Sequence, residues 1–277
     1  MIFTKMHGLG NDYVCINCFR ERVEDPPGFA RTLCDRHYGI GADGLILICP
    51  SKVSDFKMEI YNSDGSVAGM CGNGIRCLGK YVYDYRLTGK ETLSIETKSG
   101  IRNMHLHIQD GKACGAMVDM GVPRLNAHSI PILSEKDLVI NDPIEVQEKN
   151  YRMTGISMGN PHAVVFVDDV AHFELEKYGP LFENHVRFPK RTNTEFVQII
   201  SRNEAIMRVW ERGSAETWAC GTGTCATVMA CILNGLTDND VLVHLRGGDL
   251  RIVYDEKSNH VFMTGPATEV FEGEIQL

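Results

Sequence analysis

Cys71 and Cys220 are the residues whose setting most suggests chemistry. Each opens a version of one motif, Met70-Cys71-Gly72-Asn73-Gly74-Ile75-Arg76-Cys77 and Ala219-Cys220-Gly221-Thr222-Gly223-Thr224-Cys225-Ala226, and each is followed by a segment that reads as helix. Two glycines beside a cysteine at a helix start leave backbone N–H groups uncovered, and with the helix dipole they favour an anion there. The anion is either the thiolate itself, since thiol pKa falls at helix N-termini, or the carboxylate of a ligand. For either copy alone, a glycine turn beside a small buried cysteine is the simpler reading.

The spacing of the two copies changes that judgement. Cys220 minus Cys71 is 149, and the same shift carries Gly10-Asn11 onto Gly159-Asn160 and Met58-Glu59-Ile60-Tyr61-Asn62 onto Met207-Arg208-Val209-Trp210-Glu211. It also carries Gly44 onto Asn193, each beside a short apolar run, and Leu93 onto Leu242. One offset held through separate segments marks an internal repeat. The chain therefore reads as two related halves, each presenting one cysteine at a helix start.

Length and composition fit two domains. The chain has 277 residues, 43% hydrophobic and 23% charged, enough for two cores of ordinary globular type. Net charge is −8 with no basic run, which argues against nucleic acid and against an anionic membrane surface. Apolar runs reach about five residues, far short of a membrane span, and Met1 to Gly8 carries no signal-peptide core, so a cytoplasmic location is expected. The ten cysteines are scattered. Cys15-Ile16-Asn17-Cys18 forms a CxxC, but no second pair accompanies it and its setting reads as strand, so no metal site is expected.

The elements that must position the two cysteines are mostly strands. In the first half they are expected at Ile2 to Met6, Tyr13 to Phe19, Leu45 to Ile48, Phe56 to Tyr61, Thr92 to Thr97, Asn103 to Ile108 and Cys114 to Asp119, with a helix over Phe29 to Arg36. In the second they are expected at Tyr151 to Ser157, Ala163 to Val167, Thr194 to Ile200, Ala205 to Trp210, Val241 to Leu245, Leu250 to Tyr254 and Val261 to Thr264, with a helix over Phe173 to Phe182. This is an α+β pattern, a mixed sheet or barrel wrapped around a central helix in each half, and with no long linker the halves are expected to pack closely with a cleft between them. Gly121-Val122-Pro123 breaks the pattern, giving expected domains of 1–120 with a C-terminal strand at 266–277, and 121–265.

Six motifs together resemble the diaminopimelate epimerase family along essentially the whole chain. They are His7-Gly8-Leu9-Gly10-Asn11-Asp12, Asn62-Ser63-Asp64-Gly65-Ser66, Met70 to Cys77, Ser157-Met158-Gly159-Asn160-Pro161-His162, Glu211-Arg212-Gly213 and Ala219 to Gly223. The resemblance implies a cofactor-independent amino-acid epimerase with two pseudo-symmetric domains and its active site in the cleft between them. It further implies a homodimer that makes meso-diaminopimelate for lysine and the cell wall. It puts Asn11, Asn62, Asn160, Asn193 and Arg212 on the substrate and makes Glu211 and His162 important to catalysis. Gly44 stands where some relatives carry a glutamine that touches substrate, and it is not assigned to the site.

The residues themselves support such chemistry. Inverting a carbon that bears hydrogen needs an acid–base group on each face, and two half-sites supply one thiol each, Cys71 and Cys220. An ordinary thiol pKa of about 8.5 lets one be ionised and the other protonated near neutrality after a modest shift. Backbone donors at Gly72-Asn73 and Gly221-Thr222 suit the α-carboxylate and the charge that develops on it. Arg212 suits a distal carboxylate, and Glu211 an ammonium group. Gly10, Gly44 and Gly74 are hinge candidates for closure. No lysine sits in a motif suited to pyridoxal chemistry, and no cofactor is implied. Two rivals remain: a proline or hydroxyproline racemase with the same two thiols, and a non-enzymatic redox or metal thiol module.

Overall fold

The computed structural model describes residues 1–276. The chain divides into two units, Met1–Asp119 with Thr264 onward, and Met120–Met263. The first unit runs β1 (Ile2–Gly8), β2 (Asn11–Asn17), α1 (Pro26–Leu33), β3 (Gly44–Cys49), β4 (Phe56–Asn62), α2 (Gly72–Asp84), β5 (Thr92–Thr97), β6 (Gly100–Gln109) and β7 (Lys112–Gly121). The second runs β8 (Asp142–Val146), β9 (Lys149–Ser157), β10 (Pro161–Phe166), α3 (Leu175–Glu183), β11 (Asn193–Ser201), β12 (Glu204–Glu211) and β13 (Ala215–Thr217). It continues with α4 (Gly221–Leu233), β14 (Asp240–Leu245), β15 (Gly248–Asp255) and β16 (His260–Pro266), and β17 (Thr268–Glu274) returns to the first unit.

Strand pairing repeats between the units. In the first, β1 is antiparallel to β17 and β2, β2 parallel to β3, β3 antiparallel to β4, β4 parallel to β5, and β5, β6 and β7 form a meander. In the second, β9 is antiparallel to β8 and β10, β10 parallel to β11, β11 antiparallel to β12, β12 parallel to β14, and β14 antiparallel to β15. The shift of 149 takes both ends of α2 onto both ends of α4. Register follows it too: Tyr13 pairs with Gly44, and His162 with Asn193.

Each unit is a mixed sheet around its cysteine helix, the α+β arrangement expected from the sequence. Ile75, Leu78 and Val82, at i, i+3 and i+7 of α2, are fully buried. The helix packs against β1, β2, β3, β4, β6 and β17. Burial of each such side chain is worth about 1.5–3 kcal/mol. α4 is apolar around most of its circumference, with Cys225, Ala226, Val228, Met229 and Ala230 all buried, as a helix surrounded by β9, β10, β11, β12 and β15 requires. The Gly-x-Gly turns allow this approach. A Cβ on Gly74 would lie 2.9 Å from the Ile46 side chain, and one on Gly223 2.6 Å from Glu195 Oε1.

Several elements differ from expectation. α1 starts at Pro26, because Asp25 caps it by accepting from the Gly28 N–H at 3.1 Å and the prolines occupy its first turn, where their missing N–H costs nothing. β8 and the three-residue β13 lie outside the strands expected from the sequence. The expected C-terminal strand corresponds to β17, with Leu277 outside the described residues. Cys15 is buried on β2, while the thiol of Cys18 is hydrogen-bonded to Cys49, one residue beyond the Asn17–Ile48 pair of β2 and β3. Among the described residues, no helix is long and apolar enough to cross a membrane.

Candidate active site

Cys71 and Cys220 are the N-cap residues of α2 and α4, both in extended conformation (φ −134°, ψ 123° and φ −122°, ψ 106°). Their carbonyls accept the first helical bonds, from the N–H groups of Ile75 at 3.0 Å and Thr224 at 2.9 Å. Each sulfur therefore sits at the positive end of a buried helix dipole, and at Cys220 a hydrogen bond from the Gly223 backbone favours the thiolate as well.

In the first unit the sulfur belongs to a network of neutral groups. Asn11 Oδ1 accepts from Asn73 Nδ2 at 3.1 Å and lies 3.6 Å from Cys71 Sγ. The Tyr13 hydroxyl lies 2.8 Å from Cys71 Sγ and also donates to Asn11 Oδ1. Asn73 in turn accepts from Arg76 Nη2 at 2.9 Å, and Gly72 from Arg76 Nη1 at 3.0 Å, so the fully buried arginine fixes the first turn of α2. Asn62 ends β4 at an exposed position, where its amide donates to Ser66 Oγ at 2.9 Å. A Cβ on Gly44 would meet the Tyr61 carbonyl at 2.6 Å, so a longer residue here requires the backbone to move.

Asn11 is held from behind by charge. Its Nδ2 donates to Asp43 at 2.8 Å, Arg36 bridges Asp43 at 2.9 Å and Asp12 at 2.8 Å, and Lys5 pairs with Asp12 at 2.7 Å. Burial alone would raise the Asp12 carboxyl, but the hydrogen bonds and charges of Arg36 and Lys5 outweigh it and hold it at about 2. A depressed carboxyl contributes stability above its unfolded pKa and loses it as pH falls through the folded value. Acid titration of unfolding should therefore show a contribution on the order of 1–2 kcal/mol disappearing between about pH 4 and pH 2, reduced by solvent screening at half-exposed Arg36. Asp12→Asn should remove that part of the slope.

In the second unit the surroundings are acidic. His162 Nδ1 lies 2.7 Å from Glu195 Oε1 and Nε2 lies 3.0 Å from Asn160 Oδ1, while Asn160 Nδ2 donates to Thr222 Oγ1 at 3.2 Å. Thr222 Oγ1 is 3.6 Å from Cys220 Sγ. Glu211 accepts from Thr217 Oγ1 at 2.5 Å and hydrogen-bonds Cys220. Burial pushes the Cys220 thiol well up, and the Glu211 and Glu195 carboxylates add to the effect. Burial also raises the Glu211 carboxyl. Asn193 Nδ2 donates to the Pro161 carbonyl at 2.8 Å and its Oδ1 accepts from the Arg212 N–H at 2.9 Å, so this amide anchors the Arg212 backbone. The Arg212 side chain reaches the Lys190 carbonyl at 3.1 Å.

Thus Asn11, Gly72 and Asn73 gather around Cys71, and Asn160, His162, Glu211, Gly221 and Thr222 around Cys220. Sequence reasoning missed Tyr13 and Glu195. The repeat holds a signal for the first, since Tyr13 shifted by 149 is His162. For the second, the signal was a carboxylate inside the apolar run Phe196-Val197 with Thr194 before it. Glu195 is fully buried, and its Oε2 has no hydrogen-bond partner among the described residues.

A family model described as diaminopimelate epimerase matches residues 3–126 and 154–270. The chain belongs to the diaminopimelate epimerase family. It is 64% identical over 284 aligned positions to the diaminopimelate epimerase of Agathobacter rectalis, covering all of both chains. It is 54% identical to that of Acetivibrio thermocellus, covering 100% of this chain and 99% of the relative. Among solved structures, a hydroxyproline epimerase from Agrobacterium vitis with bound trans-4-hydroxy-L-proline matches with TM-score 0.73 at 12% identity, covering 99% of this chain and 90% of that one. A Bacillus anthracis phenazine biosynthesis protein of the PhzF family also matches with TM-score 0.73, at 15% identity, covering 100% and 99%. At such identities these two structures speak to fold alone, and diaminopimelate epimerases share it with enzymes of other substrates.

Proposed function

We propose that the chain interconverts LL- and meso-2,6-diaminopimelate without a cofactor, using Cys71 and Cys220 as its two acid–base groups, in lysine and peptidoglycan precursor synthesis. The observation that carries this reading is a thiol at the N-cap of a buried helix in each of two repeated units, in a chain of full-length family membership. One thiolate takes the Cα proton and the electron pair stays on the α-carbon, delocalised into the carboxylate. The other thiol returns a proton to the opposite face, leaving the cysteine roles exchanged.

Preorganised donors stabilise the carbanion. The first-turn N–H groups at Gly72-Asn73 and Gly221-Thr222 hold the α-carboxylate and take up charge as it builds there. Asn11 and Asn160 fix the reacting end, with Asn62 and Asn193 also on the substrate. Arg212 pairs with the distal carboxylate, and the Asn193 bond to its backbone holds it in place. Glu211 and His162 tune Cys220. A second carboxylate and ammonium explain Glu211-Arg212, which a proline racemase would leave unused.

The enzyme is cytoplasmic and homodimeric in this reading, and light scattering on the purified chain tests the dimer. The substrate is tested by chiral chromatography of reactions with LL-diaminopimelate and with L-proline, no cofactor being added. Formation of the meso isomer alone is expected. Racemisation of proline, with diaminopimelate untouched, would overturn the assignment.

A further inference from the structure

The two half-sites differ in a way the repeat makes explicit. Shifting by 149, His162 corresponds to Tyr13, Glu211 to Asn62 and Glu195 to Ile46. Cys220 therefore lies beside two carboxylates, while the corresponding positions around Cys71 hold a phenol, an amide and a hydrocarbon. The equivalence is one of register as well as numbering, since Tyr13 and His162 take the same place on β2 and β10.

We propose that Tyr13 is a catalytic residue of the Cys71 half-site, its phenol donating the hydrogen bond that stabilises the Cys71 thiolate. The assignment rests on the two-thiol reading above, in which Cys71 Sγ is a reacting atom. A phenol carries one proton and here has two acceptors within reach, Asn11 Oδ1 and Cys71 Sγ at 2.8 Å. With Cys71 as a thiol, the phenol donates to Asn11 and the S–H points into the same pair of oxygens. When Cys71 ionises, the phenol turns to the sulfur, and Asn11 Oδ1 keeps its bond from Asn73 Nδ2 at 3.1 Å. No backbone movement is needed, and charge appears on Cys71 without leaving a buried acceptor unsatisfied.

The phenol is suited to that task because it stays protonated. Burial raises its pKa well above the ordinary tyrosine value, and the charges of Cys71, Cys77 and Asp43 act in the same direction. The other charged groups near the pair are Arg76 on α2, which is bonded to Asn73 and Gly72, and the Lys5–Asp12–Arg36 group that backs Asp43. Tyr13 is thus a fixed donor, unlike a histidine, which changes charge in the working pH range. The two half-sites are thereby unequal: Cys71 has a neutral donor at 2.8 Å, whereas burial and two carboxylates push the Cys220 thiol up.

The test is iodoacetamide alkylation of the full-length protein between pH 6 and 10, with Cys71 and Cys220 followed separately by peptide mass spectrometry. In the unmodified protein Cys71 should react with a lower pH midpoint than Cys220. In Tyr13→Phe the Cys71 midpoint should rise by about one to two pH units, the size of one hydrogen bond to a charged group, with Cys220 unmoved. Turnover of diaminopimelate should lose about tenfold or more in kcat with KM little changed. Site-specific 3-fluorotyrosine at position 13, a stronger donor of the same shape, should lower the Cys71 midpoint, which keeps the test sharp if Tyr13→Phe folds poorly. Cys71 profiles that superimpose in all three proteins would overturn the proposal. A shifted Cys71 midpoint in a protein inactive on diaminopimelate would uphold Tyr13 and remove the substrate assignment instead.

Discussion

Cys71→Ala and Cys220→Ala should each abolish epimerisation of LL-diaminopimelate, with losses of at least about 10³-fold, while leaving the protein folded. The two effects separate for a structural reason. Each helix is held by its backbone ladder and its buried apolar face rather than by the thiol, so alanine at either N-cap leaves both in place. Cys220 is the more buried of the two, and its truncation should cost about 1 kcal/mol of packing. Cys71 is half-buried and should cost less. Catalysis has no comparable reserve. With either thiol gone, one face of the carbon has no group to give or take a proton, and the remaining thiol can only return a proton to the face it came from. Serine at either position should fail as well, because its hydroxyl does not ionise near neutrality. Chiral chromatography of the products, with a thermal melt of each variant, measures both parts.

Glu211→Gln should have two effects of opposite sign. Glu211 is the carboxylate hydrogen-bonded to Cys220, and its charge helps hold that thiol's pKa well up, after burial itself. Glutamine keeps the oxygen that accepts from Thr217 and removes the charge. Cys220 should then ionise more readily, and its alkylation near pH 8 should speed up by about tenfold, one pKa unit. Turnover should nevertheless fall by about 10²–10³-fold, because the carboxylate that hydrogen-bonds Cys220 and tunes its proton affinity for transfer to and from the α-carbon is gone. That loss equals about 3–4 kcal/mol of transition-state stabilisation. A Glu211 that merely braced the loop would give slower turnover without faster alkylation of Cys220.

The frame of this molecule was open to sequence reading because the repeat is written into the spacing. The offset of 149 between two cysteines carries α2 onto α4 at both ends, and strand periodicity placed most strands within a few residues. What escaped was short or locally ambiguous. β8 begins Asp142-Pro143, which reads as a turn, and β13 has three residues. α1 starts earlier than expected because Pro26-Pro27, which reads as a break, occupies a first helical turn that tolerates proline. Around the cysteines, motif reading found the residues that sit on glycine turns. It missed Tyr13 and Glu195, whose roles depend on cross-strand neighbours: β2 brings Tyr13 against the start of α2, and pairing of β10 with β11 brings Glu195 against His162. The Asn193 amide is also bonded to the backbone at Pro161 and Arg212, a partnership that spacing does not reveal.

The most direct measurement of the two-thiol mechanism is Cα–H exchange in deuterium oxide, followed by proton NMR with LL- and with meso-diaminopimelate. The unmodified protein should place deuterium at the inverted centre of product. Cys71→Ala should exchange the reacting proton of one isomer without inverting it, and Cys220→Ala that of the other. Inversion surviving in either variant, or both variants exchanging the same isomer, would contradict the assignment of one thiol to each face of the carbon.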